Sequence, residues 1–223
     1  MRIIPITPLT PDLASAWDAF VDEHPGGWWW HRTEWLAYQV AHAGARDASF
    51  AVMEGDRFRT ICPLLIQPDG RFAMEGYPLP WPLDETGYYP ERRVWALPTG
   101  PISFRGSPLM DYVYPTNGME DWRDISWPSR VLDLTQSEAE LHAGVRKSYR
   151  HLINRGRQTW GRRDCAGSPE AFHLLWAEAN GRRRHPEAER LMSEWLKTGR
   201  ARLIGAWRAG RWEAFCYAIV YKN

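Results

Sequence analysis

The order in which its secondary-structure signals recur constrains this chain more than any other feature: two helices followed by a β-hairpin are written twice. Arg2–Thr7 alternates as a short strand, and Pro11 and Asp12 then open a helix to about His24. That helix carries Leu13, Trp17, Phe20 and Val21 at helical spacing, and Pro25-Gly26-Gly27 breaks it. Thr33 can cap a second helix, Glu34–His42, which Gly44 ends. Ala48–Met53, Arg57–Gln67 and Arg71–Tyr77 follow as antiparallel strands. Their turns, Glu54-Gly55-Asp56 and Pro68-Asp69-Gly70, carry hairpin chemistry. The pattern recurs from Ser168-Pro169-Glu170, which caps a helix to about Asn180 with proline at its first position. Pro186–Thr198 gives the next helix, stopped by Gly199. Ala201–Trp207 and Trp212–Tyr221 then pair across Arg208-Ala209-Gly210-Arg211. An α/β chain of the α+β kind is expected. The second copy stops at Asn223, where the first continues into another strand, so it reads as incomplete.

Between the two copies the composition changes. Residues 78–130 hold nine of the 17 prolines, with Trp81, Trp95, Trp122, Trp127, Tyr88 and Tyr89, and read as a long irregular insertion. Val131–Leu134 has strand character. Thr135-Gln136-Ser137-Glu138 has the form of a capping box that would open a basic helix. The expected division is a first domain over 1–135, a basic connecting helix over 136–160 and a partial second domain over 161–223.

That basic helix is the strongest chemical signal. Leu141, Val145, Tyr149, Leu152 and Ile153 repeat at steps of three and four and should form one buried face. Lys147, Arg150, His151 and Asn154 repeat on another, flanked by Arg146 and Arg155. From Arg146 to Arg163 there are seven Lys/Arg and no acid. Arginine forks and lysine point charges at this spacing suit a carboxylate or phosphate, although a solvated basic face is the plain alternative. The net charge of +1 conceals the asymmetry: residues 1–145 balance to −9 and residues 146–223 to +10. The second half is thus suited to a phosphate, a nucleotide or RNA, unless the halves merely attract each other. Gly181-Arg182-Arg183-Arg184-His185 is a second candidate for holding phosphate groups, with a solvated loop as the equal alternative.

Other chemistries lack a signature. No P-loop, dinucleotide-binding glycine pattern, zincin motif or serine elbow is present. Cys62, Cys165 and Cys216 stand outside metal spacing and read as reduced, packed thiols, so no metal is expected. No apolar run approaches the length of a membrane span, and the N-terminus has no secretory pattern; a cytoplasmic setting is expected. His31, after Trp28-Trp29-Trp30, is a candidate base, but a capping or packed role is favoured. Glu75, Tyr88, Tyr89 and Asp111 are further candidates among which nothing selects.

Val131-Leu132-Asp133-Leu134-Thr135, followed by Val145-Arg146-Lys147-Ser148-Tyr149-Arg150-His151-Leu152-Ile153-Asn154-Arg155-Gly156, resembles the stretch entering the second half of FemAB-like proteins of the GNAT acyltransferase superfamily. His31-Arg32-Thr33-Glu34-Trp35, Phe172 through Gly181-Arg182, and Gly199-Arg200-Ala201-Arg202-Leu203 fit the same pattern. The resemblance implies tandem GNAT-like domains, the second incomplete, and acyl or aminoacyl transfer to an amine. The donor would be acyl-CoA or aminoacyl-tRNA, with tRNA as a partner. The acceptor would be a small molecule or a cell-wall or polysaccharide precursor, and a homo-oligomer is compatible with it. Arg146, Lys147, Arg150 and Asn154 would hold an anionic part of the substrate, with Arg182 assisting; no catalytic residue is named. The alternative is a non-catalytic glycan- or RNA-binding module built from the aromatic loop 78–130 and the basic half.

Overall fold

The computed structural model describes residues 2–5, 10–70, 72–74, 83–85, 102–104, 134–164 and 168–222. Within these the chain is mixed α and β, with six α-helices and small, mainly antiparallel sheets. It divides into two compact units, Met1–Ser129 with Lys222, and Arg130–Tyr221 with Asn223.

The first unit runs β1 (Arg2–Pro5), α1 (Pro11–Glu23), a 3-10 turn (Trp29–His31), α2 (Thr33–Ala43), β2 (Arg46–Asp47), β3 (Phe50–Glu54) and β4 (Arg57–Cys62). β5 (Leu65–Ile66), β6 (Phe72–Met74), β7 (Leu83–Asp84) and β8 (Ile102–Phe104) follow. Two four-stranded sheets result, in the orders β1-β3-β4-β7 and β2-β5-β6-β8. α1 starts as expected: Thr10 accepts a hydrogen bond from the Leu13 amide at 3.3 Å, and Pro11 stands at the first helical position. Gly44 ends α2 in the left-handed region at φ 65°.

The single strand expected over Arg57–Gln67 is in fact two, in different sheets. Pro63 separates them, because it has no N–H to give to a ladder. At the crossing, the Leu64 amide donates to Ser49 Oγ at 3.1 Å and the Ala48 amide donates to the Leu64 carbonyl at 2.8 Å. Asp47 Oδ1 in turn accepts from the Ser49 amide at 2.8 Å. β2 and β3 part at the same point, so both chain segments change sheet together. Of the expected strand Arg71–Tyr77 only 72–74 are described; residues 71 and 75–77 lie outside the described residues, as do 6–7 and 131–133.

The core of this unit combines Trp17, Val21, Trp29, Leu36, Ile61 and Leu65, all buried. Trp17 satisfies its indole N–H on the His31 carbonyl at 2.7 Å. A buried charge sits beside this core. Arg32, its side chain 5% exposed, donates to Asp18 at 3.1 Å and Glu34 at 2.5 Å, and also pairs with Asp22. Its guanidinium lies 6.0 Å from the Trp29 ring centroid. Asp18 accepts two further bonds from Thr33, from its amide at 2.9 Å and its hydroxyl at 2.8 Å. Thr33, expected to cap α2, thus spends its hydroxyl on α1, and the network ties the two helices through one cation.

The second unit contains α3 (Glu138–Gly144), α4 (Lys147–Thr159), β9 (Gly161–Asp164), α5 (Pro169–Asn180), α6 (Pro186–Lys197), β10 (Ala201–Arg208) and β11 (Arg211–Ile219), with sheet order β11-β10-β9. The capping box exists but two residues later and on another helix. Ser137 Oγ accepts from the Glu140 amide at 3.3 Å, while Glu140 accepts from the Ser137 amide at 2.8 Å. It opens the seven-residue α3. Gly144 and β-branched Val145 then interrupt the helix, with Val145 extended at ψ 138°, and the basic helix α4 begins separately.

α6 buries Ala188, Met192, Trp195 and Leu196 at helical spacing, and with α5 it covers one face of the β10–β11 hairpin. Phe172 of α5 stacks on Tyr217 at 5.4 Å and meets Phe215 edge-on at 5.9 Å, and the Tyr217 hydroxyl donates to the Met192 carbonyl at 2.7 Å. The hairpin closes on a two-residue loop, Ala209 at φ 48° and Gly210 at φ 85°. Positive φ at both positions marks the turn type whose twist suits paired strands.

Two predictions follow from these cores. Arg32→Ala leaves the half-buried Asp18 without its counter-charge and should cost about 2–4 kcal/mol, read by urea unfolding. In the second unit His173 is 2% exposed; its Nε2 lies 3.4 Å from Ser193 Oγ, and Nδ1 has no partner among the described residues. Burial pushes this imidazole below its ordinary value. Because the unfolded state then binds the proton more readily, stability is full above about pH 6.5 and declines as pH falls through that value. The slope of the unfolding midpoint between neutral and mildly acid pH should flatten in His173→Gln.

Candidate functional site

The hairpin has two unlike faces. Ala201, Leu203 and Gly205 of β10 are buried under α5 and α6, as the alternation of a strand requires. The opposite face presents Arg202, Ile204 and Ala206, paired with Ala218, Cys216 and Ala214 of β11. Arg162 of β9 pairs with Ala206 and so shares that face. Small side chains leave it low and flat, and the C-terminal turn of α4 lies over one end of it.

The result is an open cleft of about 650 Å³ between α4 and the sheet. Gly156, Arg157 and Trp160 form the helix side, and Ile204, Ala206, Ala214 and Cys216 belong to the sheet side. The volume lies in the range of small-molecule sites, and the walls are mainly apolar, with Arg157 and Arg162 among the lining residues; the Arg157 guanidinium donates to Glu138 of α3 at 2.8 Å. A polar cluster anchors the helix end. Trp160, the residue that terminates α4, donates from its indole to Glu213 at 2.5 Å. Arg208 donates to the other oxygen of Glu213 at 2.9 Å, and its guanidinium lies 5.4 Å from the Trp160 ring centroid. The bonds from Trp160 and Arg208 hold the Glu213 carboxyl below the usual carboxylate range. Trp160 and Glu213 thereby fix the separation of helix and hairpin on which the cleft depends.

The residues singled out in the sequence stand elsewhere. Arg146 precedes α4, and Lys147, Arg150 and Asn154 occupy its first two turns, whereas the cleft begins at Gly156. Lys147 and Asn154 are exposed, and Arg150 donates to the Ala143 carbonyl at 2.7 Å, bracing α4 against α3. Arg182 is exposed in the α5–α6 loop and does not line the cleft. The rest of that loop serves the fold. Arg183 pairs with Glu170 and Glu189, each at 2.9 Å, Arg184 lies 3.7 Å over the Trp176 ring, and His185 Nδ1 caps α6 by accepting from the Glu187 amide at 3.2 Å. His31 is buried, and its Nδ1 accepts from the Trp28 amide at 3.1 Å, the capping role favoured from the sequence.

The expected buried face of α4 is not buried. Tyr149 and Leu152 are each 57% exposed and Ile153 is 37% exposed, and no residue of α4 is buried. Only the end of the helix reaches the sheet, so periodicity identified an apolar stripe but not a neighbour for it. Sequence reasoning also missed β9, because Gly161-Arg162-Arg163-Asp164 has loop composition and becomes a strand only by pairing with β10. Glu75, Tyr88, Tyr89, Asp111 and Cys165 lie outside the described residues. Among the described residues no group of His, Cys, Asp and Glu is arranged to hold a metal ion, and no helix is long and apolar enough to cross a membrane.

Cys62 and Cys216 differ sharply in environment. Cys62 is 1% exposed and burial pushes its thiol up, whereas Cys216 is exposed on the cleft face. Iodoacetamide under native conditions should alkylate Cys216 and spare Cys62 until the protein is unfolded, as peptide mapping will read. No protein-family model matches this chain, and comparison with curated proteins gives no match either.

Proposed function

We propose that this chain is an N-acyltransferase of the FemAB-like GNAT type, with tandem GNAT-like domains, that takes its acyl or aminoacyl donor in the cleft of the second unit. The observation that carries this reading is the cleft itself: an apolar trough of about 650 Å³ with Arg157 and Arg162 among its walls, beside a helix rich in cations. Such a trough suits a donor that presents its acyl carbonyl ahead of a phosphate-bearing body, as acyl-CoA does at the end of its pantetheine arm and aminoacyl-tRNA at its 3′-terminal ribose. The recurrence of two helices and a hairpin, α1, α2 and β3–β4, then α5, α6 and β10–β11, agrees with a doubled domain.

In the proposed reaction an acceptor amine attacks the donor carbonyl. The new C–N bond forms as the thioester C–S bond, or the ester C–O bond of aminoacyl-tRNA, breaks; the amine proton leaves and the thiolate or alkoxide takes one up. Positioning and stabilisation of the tetrahedral oxyanion suffice for this chemistry, so no nucleophilic side chain is required. The acceptor is a small-molecule amine or a cell-wall or polysaccharide precursor, and the setting is cytoplasmic. Arg157 and Arg162 hold the anionic body of the donor; Arg146, Lys147, Arg150 and Asn154, which the resemblance assigned to that role, stand at the start and on the first turns of α4, outside the cleft.

The test is titration of acyl-CoA and aminoacyl-tRNA by calorimetry. Arg157→Ala with Arg162→Ala should weaken donor binding by about tenfold to a hundredfold, the scale of one or two charge-assisted hydrogen bonds, with unfolding unchanged. Absence of donor binding by the unmodified chain, or unaltered binding by the double variant, rejects the proposal. A second reading, RNA binding without catalysis, draws on the same run of seven cations without an acid. It requires affinity that falls steeply with salt and no acyl transfer. The glycan version rests on the aromatic loop 78–130, most of which lies outside the described residues.

A further inference from the structure

We propose that the first two turns of α4 dock the protein onto an anionic lipid surface, with Tyr149, Leu152 and Ile153 inserted and the last turn, whose Gly156 and Trp160 face the sheet, left outside it. The inference stands apart from the transferase reading and rests on two properties of one helix. The first is the exposed stripe: three large apolar side chains on adjoining turns, where exposed hydrophobic residues are normally scattered singly. The second is charge. Arg146, Lys147, Arg150, Arg155 and Arg157 belong to the same thirteen-residue helix and its leading residue, and the run to Arg163 contains no acid. On the helical wheel Arg146 and Arg157 border the stripe beside Ile153, and Arg155 lies beyond Leu152. Such shoulders let long side chains bury their stems and carry their charges to phosphate headgroups.

The alternatives satisfy only one property each. RNA would use the cations and leave the apolar stripe in water. A second copy of the chain would cover the stripe but bring seven more cations against the first seven. An anionic bilayer takes both, through burial of the apolar face and through attraction to each basic residue near its surface.

The whole chain should sediment with vesicles of phosphatidylcholine containing phosphatidylglycerol, and about tenfold less with phosphatidylcholine alone or at high salt. Leu152→Gln with Ile153→Gln should lower binding to anionic vesicles by about tenfold or more. Arg146→Gln with Arg155→Gln should do likewise. All four side chains are exposed, so circular dichroism and the unfolding transition serve as controls that both variants fold. Three results each overturn the proposal: no vesicle binding by the unmodified chain; vesicle binding indifferent to either variant; or self-association or RNA binding in the absence of vesicle binding. Donor titration in the two variants is read separately, so loss of lipid binding and loss of the transferase reading are distinguishable.

Discussion

A β-hairpin is held in place by what lies on one of its faces, and the second unit depends on that constraint. β10 and β11 pair along their whole length, yet a two-stranded ribbon alone is marginal in water. α5 and α6 supply the missing layer, with Phe172 against Tyr217 and the buried row of α6 against β10. Once one face is committed to packing, the other is available. Its small residues make it a poor core surface and a good trough, and the polar anchor of Trp160 on Glu213 brings α4 over its end. Fold and site are here two sides of one ribbon.

The two units treat buried charge differently. In the first, Arg32 is withdrawn from water and surrounded by carboxylates from α1 and the start of α2, so the cation acts as a specific rivet between helices. In the second, Arg183 performs a similar bridging between α5 and α6 while half exposed, where solvent weakens each pair. Arg184 instead packs its guanidinium on Trp176. The arginine cluster between the helices therefore reads as structural in two of its three members, and only Arg182 is left facing solvent.

Helix boundaries were legible where their chemistry is local. Pro11, Pro169 and Pro186 mark helix starts, and Gly44, Gly181 and Gly199 take the left-handed conformation where helices end. The hairpin was legible for the same reason, since Ala209-Gly210 and the alternation around it lie within a few residues. What depended on distant partners was not legible. The exchange of sheets at Pro63 is decided by Ser49, fourteen residues earlier, and β9 exists only because β10 offers it a ladder. The basic helix shows the limit most clearly: its composition pointed to anion binding over Arg146–Asn154, while the cleft opened at Gly156, a position that periodicity has no means to rank.

The tight turn at Ala209-Gly210 has a consequence for how this surface tolerates change. Strand faces alternate with a period of two, so the parity of residue number decides which side chains meet the helices and which line the trough. Even positions, Ala214, Cys216 and Ala218, look one way; odd ones, Phe215, Tyr217 and Ile219, look the other. The β-bulge between Ala206 and Trp207 already offsets Trp212, and a single residue gained or lost between it and the strand ends at the loop would invert the parity over Ala214–Ile219. Three aromatic and aliphatic groups would move into the trough, and alanines would replace them under α5. The ribbon's closing loop is thus a frame marker, and its length is as much a property of the cleft as any residue that lines it.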